Sequence, residues 1–299
     1  MKRKVLGVLN GAVAAASYGT NPLFALPLYS AGVGVNSVLF YRYAFAVLIY
    51  GIWLKFVKKT SLHLSKQEIL PLLILALFFS LSSLTLFDAF RYIEAGIACT
   101  ILFIYPVLVA IIMALFFKEK LTKTVIFSIL LTSAGIALLY RGKPGVSLNL
   151  YGVIIVFASA LLYALYIVGV KNIKAVKHIN RAKLSFYVML FGLFVYIVNL
   201  KFCTQLQIMD KPWQWLCVLA LSLFPTIISL ETINVSIKLI GSTTTAILGA
   251  LEPLTAIFFG VLLFNEHLTL RIVCGVILIL SGVFLVVLRD KIKKFVNKN

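Results

Sequence analysis

An acid followed by a proline, Glu252–Pro253, lies near the middle of the apolar run ILGALEPLTAIFFGVLLF, residues 247–264. A carboxylate at that depth of a membrane costs about 2.5–3.5 kcal/mol or more unless something compensates it. Counting from Thr243 at about 1.5 Å per residue sets Glu252 about 13 Å deep, close to the midplane. The chemistry open to such a group is to carry a proton or to grip the cationic part of a small molecule. The structural alternative is a carboxyl held neutral, or bonded to backbone freed at the proline kink.

Further ionisable side chains sit inside apolar runs: Arg42, Asp88 and Glu231. Asp88 and Glu231 suit the attraction of cationic or zwitterionic solutes, or proton binding. Asn234 lies three residues beyond Glu231, on the same helical face, and is grouped with it. Arg42 and Asp88 both fall near one membrane boundary and are expected to form a structural ion pair that locks two helices together. Arg91 and Glu94 belong to the rim. In SYGTNPLF (17–24), Asn21 and Pro22 interrupt a helix and leave backbone groups and an amide that a ligand can use. Tyr18, Phe87, Tyr105, Tyr163 and Tyr166 are the aromatic candidates for a cavity wall.

Other chemistries lack their residues. His63, His178 and His267 stand in or near polar joints without partners at metal-ligand spacing, so no metal is expected. Cys99, Cys203, Cys217 and Cys274 are scattered and read as small core residues. There is no HExxH, GxSxG, glycine-rich phosphate loop or acid-rich diphosphate motif, so neither a cofactor nor an enzymatic activity is expected.

The elements that must position these residues follow from composition. The chain has 299 residues, 62% of them hydrophobic and 12% charged, with a mean hydropathy of +1.06. A single soluble core has no place for so much apolar surface. Ten runs of bilayer length are expected at 5–28, 35–54, 69–91, 95–117, 123–140, 150–170, 182–200, 213–237, 243–264 and 269–288. The joints between them are too short for a separate domain. The net charge of +19 is distributed unevenly: with the amino terminus inside, 21 basic residues fall on the inner side and six on the outer. That is the positive-inside pattern, with both termini cytoplasmic in the cell membrane. The bases set orientation and meet lipid headgroups; no nucleic-acid role is expected.

The chain also repeats itself. A shift of 147 residues lays FKEKLT (117–122) on FNEHLT (264–269) and, across 91–141, gives ten identical pairs without a gap, Pro106 with Pro253 among them. It also pairs Tyr105 with Glu252, and Glu231 with Leu84, one turn from Asp88. A shift of 145 pairs Gly7, Val8, Ala15 and Tyr18 with Gly152, Val153, Ala160 and Tyr163. Two copies of five helices, 1–143 and 144–299, must enter the membrane from opposite sides. The fold class expected is therefore all-α integral membrane, ten transmembrane helices as two inverted five-helix repeats around a central cavity. Prolines 22, 106 and 253 mark helix kinks, and a carboxylate stands near each mouth of the cavity.

SYGTN in the first run, FYRYAFA (40–46) in the second, AGIACTILFIYPVLVAIIMALFFKEKLT in the fourth and TTTAILGALEPLTAIFFGVLLFNEHLT in the ninth resemble the EamA family of the drug/metabolite transporter superfamily. The likeness covers essentially the whole chain, and departs from it at Tyr18-Gly19, where Trp-Gly is usual. It implies a cavity lined by spans one, three, four, six, eight and nine, and the export or exchange of small metabolites, often amino acids. The function expected is a secondary transporter working by alternating access, with proton coupling allowed by its acids. The alternatives are a membrane enzyme acting on a lipid-linked substrate and a channel or scaffold subunit.

Overall fold

The computed structural model describes residues 2–93, 95–119, 122–139, 149–264, 270, 273–275, 277–278, 280–282 and 285. The tenth expected span is only partly among them. Glu94, His267, the 265–269 motif and the boundary near residue 143 lie outside.

From the amino end, α1 (Lys2–Tyr18) and α2 (Asn21–Ser30) form a split first span. Next, α3 (Val35–Ile52) continues into a π-helical turn (Trp53–Val57), and α4 (Lys66–Ala89) is unbroken. A second split span, α5 (Ala95–Leu102) with α6 (Tyr105–Phe117), precedes α7 (Lys123–Leu139). Then come α8 (Leu150–Asn172), the short α9 (Lys174–Lys177) and α10 (Arg181–Asn199). Helix α11 (Pro212–Ser222) reaches α12 (Ser229–Ile240) through a second π-helical turn (Leu223–Ile228), and α13 (Ser242–Leu248) with α14 (Leu251–Phe264) is the third split span. All regular structure among the described residues is helical, as apolar surroundings demand of a backbone that must satisfy its own polar groups. Among the described residues, five helical segments have the length and composition to cross a bilayer. Three further spans are made of shorter helices because they are split.

Each split has one local cause. Pro22, Pro106 and Pro253 fall within the first three residues of the segment that follows, where a missing N–H has no partner to lose. Two non-helical residues precede each segment: Gly19–Thr20, Phe103–Ile104 and Gly249–Ala250. The prolines therefore interrupt the spans outright instead of bending them. Other helix starts use side-chain caps: Asn149 accepts from the backbone N–H of Tyr151 at 3.0 Å, and Glu68 accepts from that of Ser65 at 2.9 Å.

The most extensive packing is α1 on α12 and α4 on α8. The first span of each half thus lies against the third span of the other. A Cβ added at Gly7 would meet Leu239 and Ile240, and one at Gly152 would meet Tyr92 and Ile93. The shifts of 145 and 147 pair Gly7 with Gly152, Leu239 with Tyr92 and Ile240 with Ile93. One small-residue approach is therefore made twice, in equivalent places. Ser82 and Ser159 tighten the α4–α8 contact by each donating to the other's carbonyl, at 3.0 and 2.7 Å. Leu48, Ile52, Phe56, Leu115, Phe116, Phe127 and Leu130 point outward and exposed, as lipid-facing residues do. Of the cysteines expected in the core, Cys217 packs against it and Cys99 faces the centre of the molecule, whereas Cys274 is exposed.

Candidate functional site

The splits at α5/α6 and α13/α14 bring Tyr105 and Glu252 together. Tyr105 Oη donates to Glu252 Oε1 at 3.4 Å, across a sequence separation of 147 residues. That separation is the repeat shift itself, so equivalent residues of the two halves meet in the centre. Tyr18 and Tyr163, also equivalent, stack with centroids 5.8 Å apart and planes 9° apart. Tyr105 places its edge on Tyr163 at 4.8 Å, and Tyr163 lies parallel to Tyr166 at 6.5 Å. Tyr166 Oη donates to Asn234 Oδ1 at 2.6 Å, and Asn234 Nδ2 donates to Ser185 Oγ at 3.0 Å.

Two glycines, neither of them among the candidate site residues, make this approach possible. A Cβ at Gly249 would lie 1.4 Å from Tyr105 Oη, and one at Gly19 would lie 2.5 Å from the Glu252 carbonyl oxygen. Only the absence of a side chain lets α1 and α6 come so near α14.

Glu252 is 8% exposed, and no cationic group lies within 4.0 Å of it among the described residues. It lines a cavity with Tyr18, Gly19, Asn21, Leu86, Cys99 and Leu102 whose open space is about 10 Å³. That is at the threshold for a single water molecule. Asn21 is 2% exposed, and among the described residues neither its Oδ1 nor its Nδ2 has a hydrogen-bond partner. A buried amide with both atoms unpaired is costly, and it marks a place where a ligand or water would be gained.

The remaining candidates divide between the two ends of the molecule. At the end carrying the amino terminus, Glu231 accepts from Tyr50 Oη at 2.5 Å and lies 3.8 Å from Lys58 Nζ. Asn234, expected to act with Glu231, is turned to Tyr166 and Ser185 instead. At the opposite end, Asp88 and Arg91 line a vestibule of about 750 Å³ together with Tyr29, Asn36, Asn199 and Gln205. Phe87 lies behind this vestibule and is absent from the residues lining the central cavity, where its neighbour Leu86 appears.

The expected Arg42–Asp88 ion pair is not formed. Asp88 Oδ1 pairs with Arg91 Nη1, three residues on, at 3.2 Å. Arg42 reaches the π-helical turn instead, donating from Nε to Thr226 Oγ1 and from Nη2 to the Pro225 carbonyl at 3.0 Å. Pro225 has no N–H, so the Leu221 carbonyl loses its helical partner and is taken by Thr226 Oγ1 at 2.7 Å. Arg42 bonds the same turn from the side, at the Thr226 hydroxyl and the Pro225 carbonyl.

Two stretches of the chain, 5–141 and 150–288, match the model of the EamA-like transporter family. The chain belongs to that family. No curated protein matches it significantly, whereas 29 chains of solved structures do. One of them, described only as a crystal structure of a protein, is 17% identical, with a TM-score of 0.75 over 93% of this chain and 95% of its own. At that identity the likeness is one of fold. The EamA assignment makes the protein a multi-pass membrane transporter of the drug/metabolite type.

Proposed function

We propose that this EamA-family protein is a secondary transporter that exports small metabolites, amino acids or related compounds as the leading class, across the cytoplasmic membrane by alternating access. Both termini face the cytoplasm on this reading. The observation that carries it is the joint placement of Glu252 and the unpartnered Asn21 amide on one closed cavity, where equivalent helix breaks of the two halves meet. Unsatisfied polar groups of both kinds at mid-membrane suit a polar solute and give a pure scaffold no advantage. A closed centre between a vestibule at one end and a tied-off opposite end supports a carrier over an open pore. The Glu252 carboxyl also allows proton coupling.

Counterflow in proteoliposomes tests this: vesicles are preloaded with mixed amino acids and trace labelled members are added outside. Wild type is expected to accumulate particular labels and Glu252→Gln to lose them by about 10-fold or more. Accumulation by both would keep the carrier and reduce Glu252 to a structural part. Turnover of a lipid-linked substrate without solute flux would favour the enzyme reading, and flux without counterflow the channel.

A further inference from the structure

Arg42 is the buried charge that the central site leaves unused. It is wholly buried within α3, and no carboxylate lies within ion-pair distance among the described residues. Its bonds to Thr226 and Pro225 fix the guanidinium plane but go to neutral acceptors, which do not call for a full positive charge. Nη1 has no hydrogen-bond partner among the described residues. An uncompensated cation in a membrane span is costly, and a counter-anion that comes and goes with the transport cycle would explain why it is tolerated.

The surroundings show how an anion reaches it. The guanidinium lies 5.1 Å from the centroid of the Phe87 ring. Tyr29 sets its own ring edge-on to Phe87 at 6.5 Å, and Tyr29 and Asp88 both line the vestibule. The Phe87 and Tyr29 rings therefore stand in turn between Arg42 and a space of about 750 Å³, large enough for a metabolite. On the inner side, Leu86, next to Phe87 in α4, lines the Glu252 cavity, so the ring that covers Arg42 belongs to a segment that also borders the centre.

We infer that Arg42 is the anion anchor of the transported solute, taking a carboxylate on Nη1 when the Phe87 and Tyr29 rings swing aside. The charge selects the class: one cation with one free nitrogen neutralises a monocarboxylate, whereas a phosphate dianion would leave a negative charge buried. This rests on the carrier reading and deepens it, since Arg42 and Glu252 then address the two charged ends of an amino acid.

The test is counterflow of labelled amino acids, monocarboxylates, primary amines and nucleosides by wild type, Arg42→Gln and Ser82→Ala. Glutamine keeps hydrogen bonding to the π-helical turn, and the serine change loosens the α4–α8 contact without touching the guanidinium. Every solute that wild type accumulates is expected to carry a carboxylate. Arg42→Gln is expected to cut its flux roughly 10- to 100-fold, the loss of one charge-assisted contact, while Ser82→Ala keeps most of it. Equal losses in both variants, or wild-type flux confined to solutes without an anionic group, would overturn the anchor and leave the carrier standing. Should no solute move, the carrier reading fails by itself. The anchor is then decided by melting detergent-solubilised protein in sodium formate against sodium chloride: a rise in wild type that Arg42→Gln lacks keeps the anion site, and no rise removes it.

Discussion

Gly249 has no side chain to contribute, yet it decides whether Tyr105 can reach Glu252. A methyl group there would stand 1.4 Å from the Tyr105 hydroxyl, so Gly249→Ala must expel the ring or shift a helix. The expected result is a drop of about 1–3 kcal/mol in stability, the usual penalty of overpacking, with loss of counterflow. Adding Tyr105→Phe removes the clashing oxygen, after which the nearest ring atom lies at 2.7 Å. The double variant is therefore expected to melt above Gly249→Ala alone while staying inactive, because Glu252 has lost its donor. Simple additivity of the two melting shifts would refute the contact. In the sequence, Gly249 was one glycine among 18; only the neighbour that fills its space gives it a role.

The helix breaks carry the site at the next scale. Pro253 lies in the first turn of α14, three residues after the non-helical pair Gly249–Ala250. Restoring an N–H by Pro253→Ala removes the steric bar to a continuous α13–α14 helix. Closing that gap would turn Glu252 away from Tyr105 and the cavity. Counterflow is expected to fall about 10-fold, as for a lost hydrogen-bonded contact to a charged group, with little change in melting temperature. Melting far below wild type would mean that the break holds the fold together instead of shaping the site. The proline positions were legible in the sequence because the local rule is strong, and the repeat placed two of them in register. That Asp88 would turn to Arg91 was not legible: Arg42 has many neighbours within reach, and the π-helical turn at Pro225 offered it carbonyls that no sequence pattern announces.

Considered whole, the molecule is unlike at its two ends. At the amino-terminal end, bonds run from the first half to the second: Tyr50 and Lys58 to Glu231, and Lys183 to Glu68 at 2.7 Å. At the other end lies the vestibule of about 750 Å³. If the first set holds that end shut, weakening it shifts the population towards opening there. The measurement is labelling of Cys99, which lines the central cavity, by a small thiol reagent in a background where Cys203, Cys217 and Cys274 are replaced. Tyr50→Phe with Glu231→Gln is expected to speed labelling from the amino-terminal side several-fold, an energy of about 1 kcal/mol per bond lost. Unchanged labelling would show that packing, not these bonds, closes that end.

The order of apolar runs, the charge bias and the 147-residue repeat by themselves determined that this is a helical membrane protein built twice over, with an acid near the middle. Those properties are local or periodic, and the bilayer imposes them on each segment separately. Which side chains meet was decided only in three dimensions. Tyr105 finds Glu252 because two breaks meet, Asn21 faces the Glu252 cavity without a partner among the described residues, and Arg42 serves a turn on another helix. Each is a packing outcome between segments far apart in the chain, set by how closely backbones can approach, and composition and spacing carry no record of it.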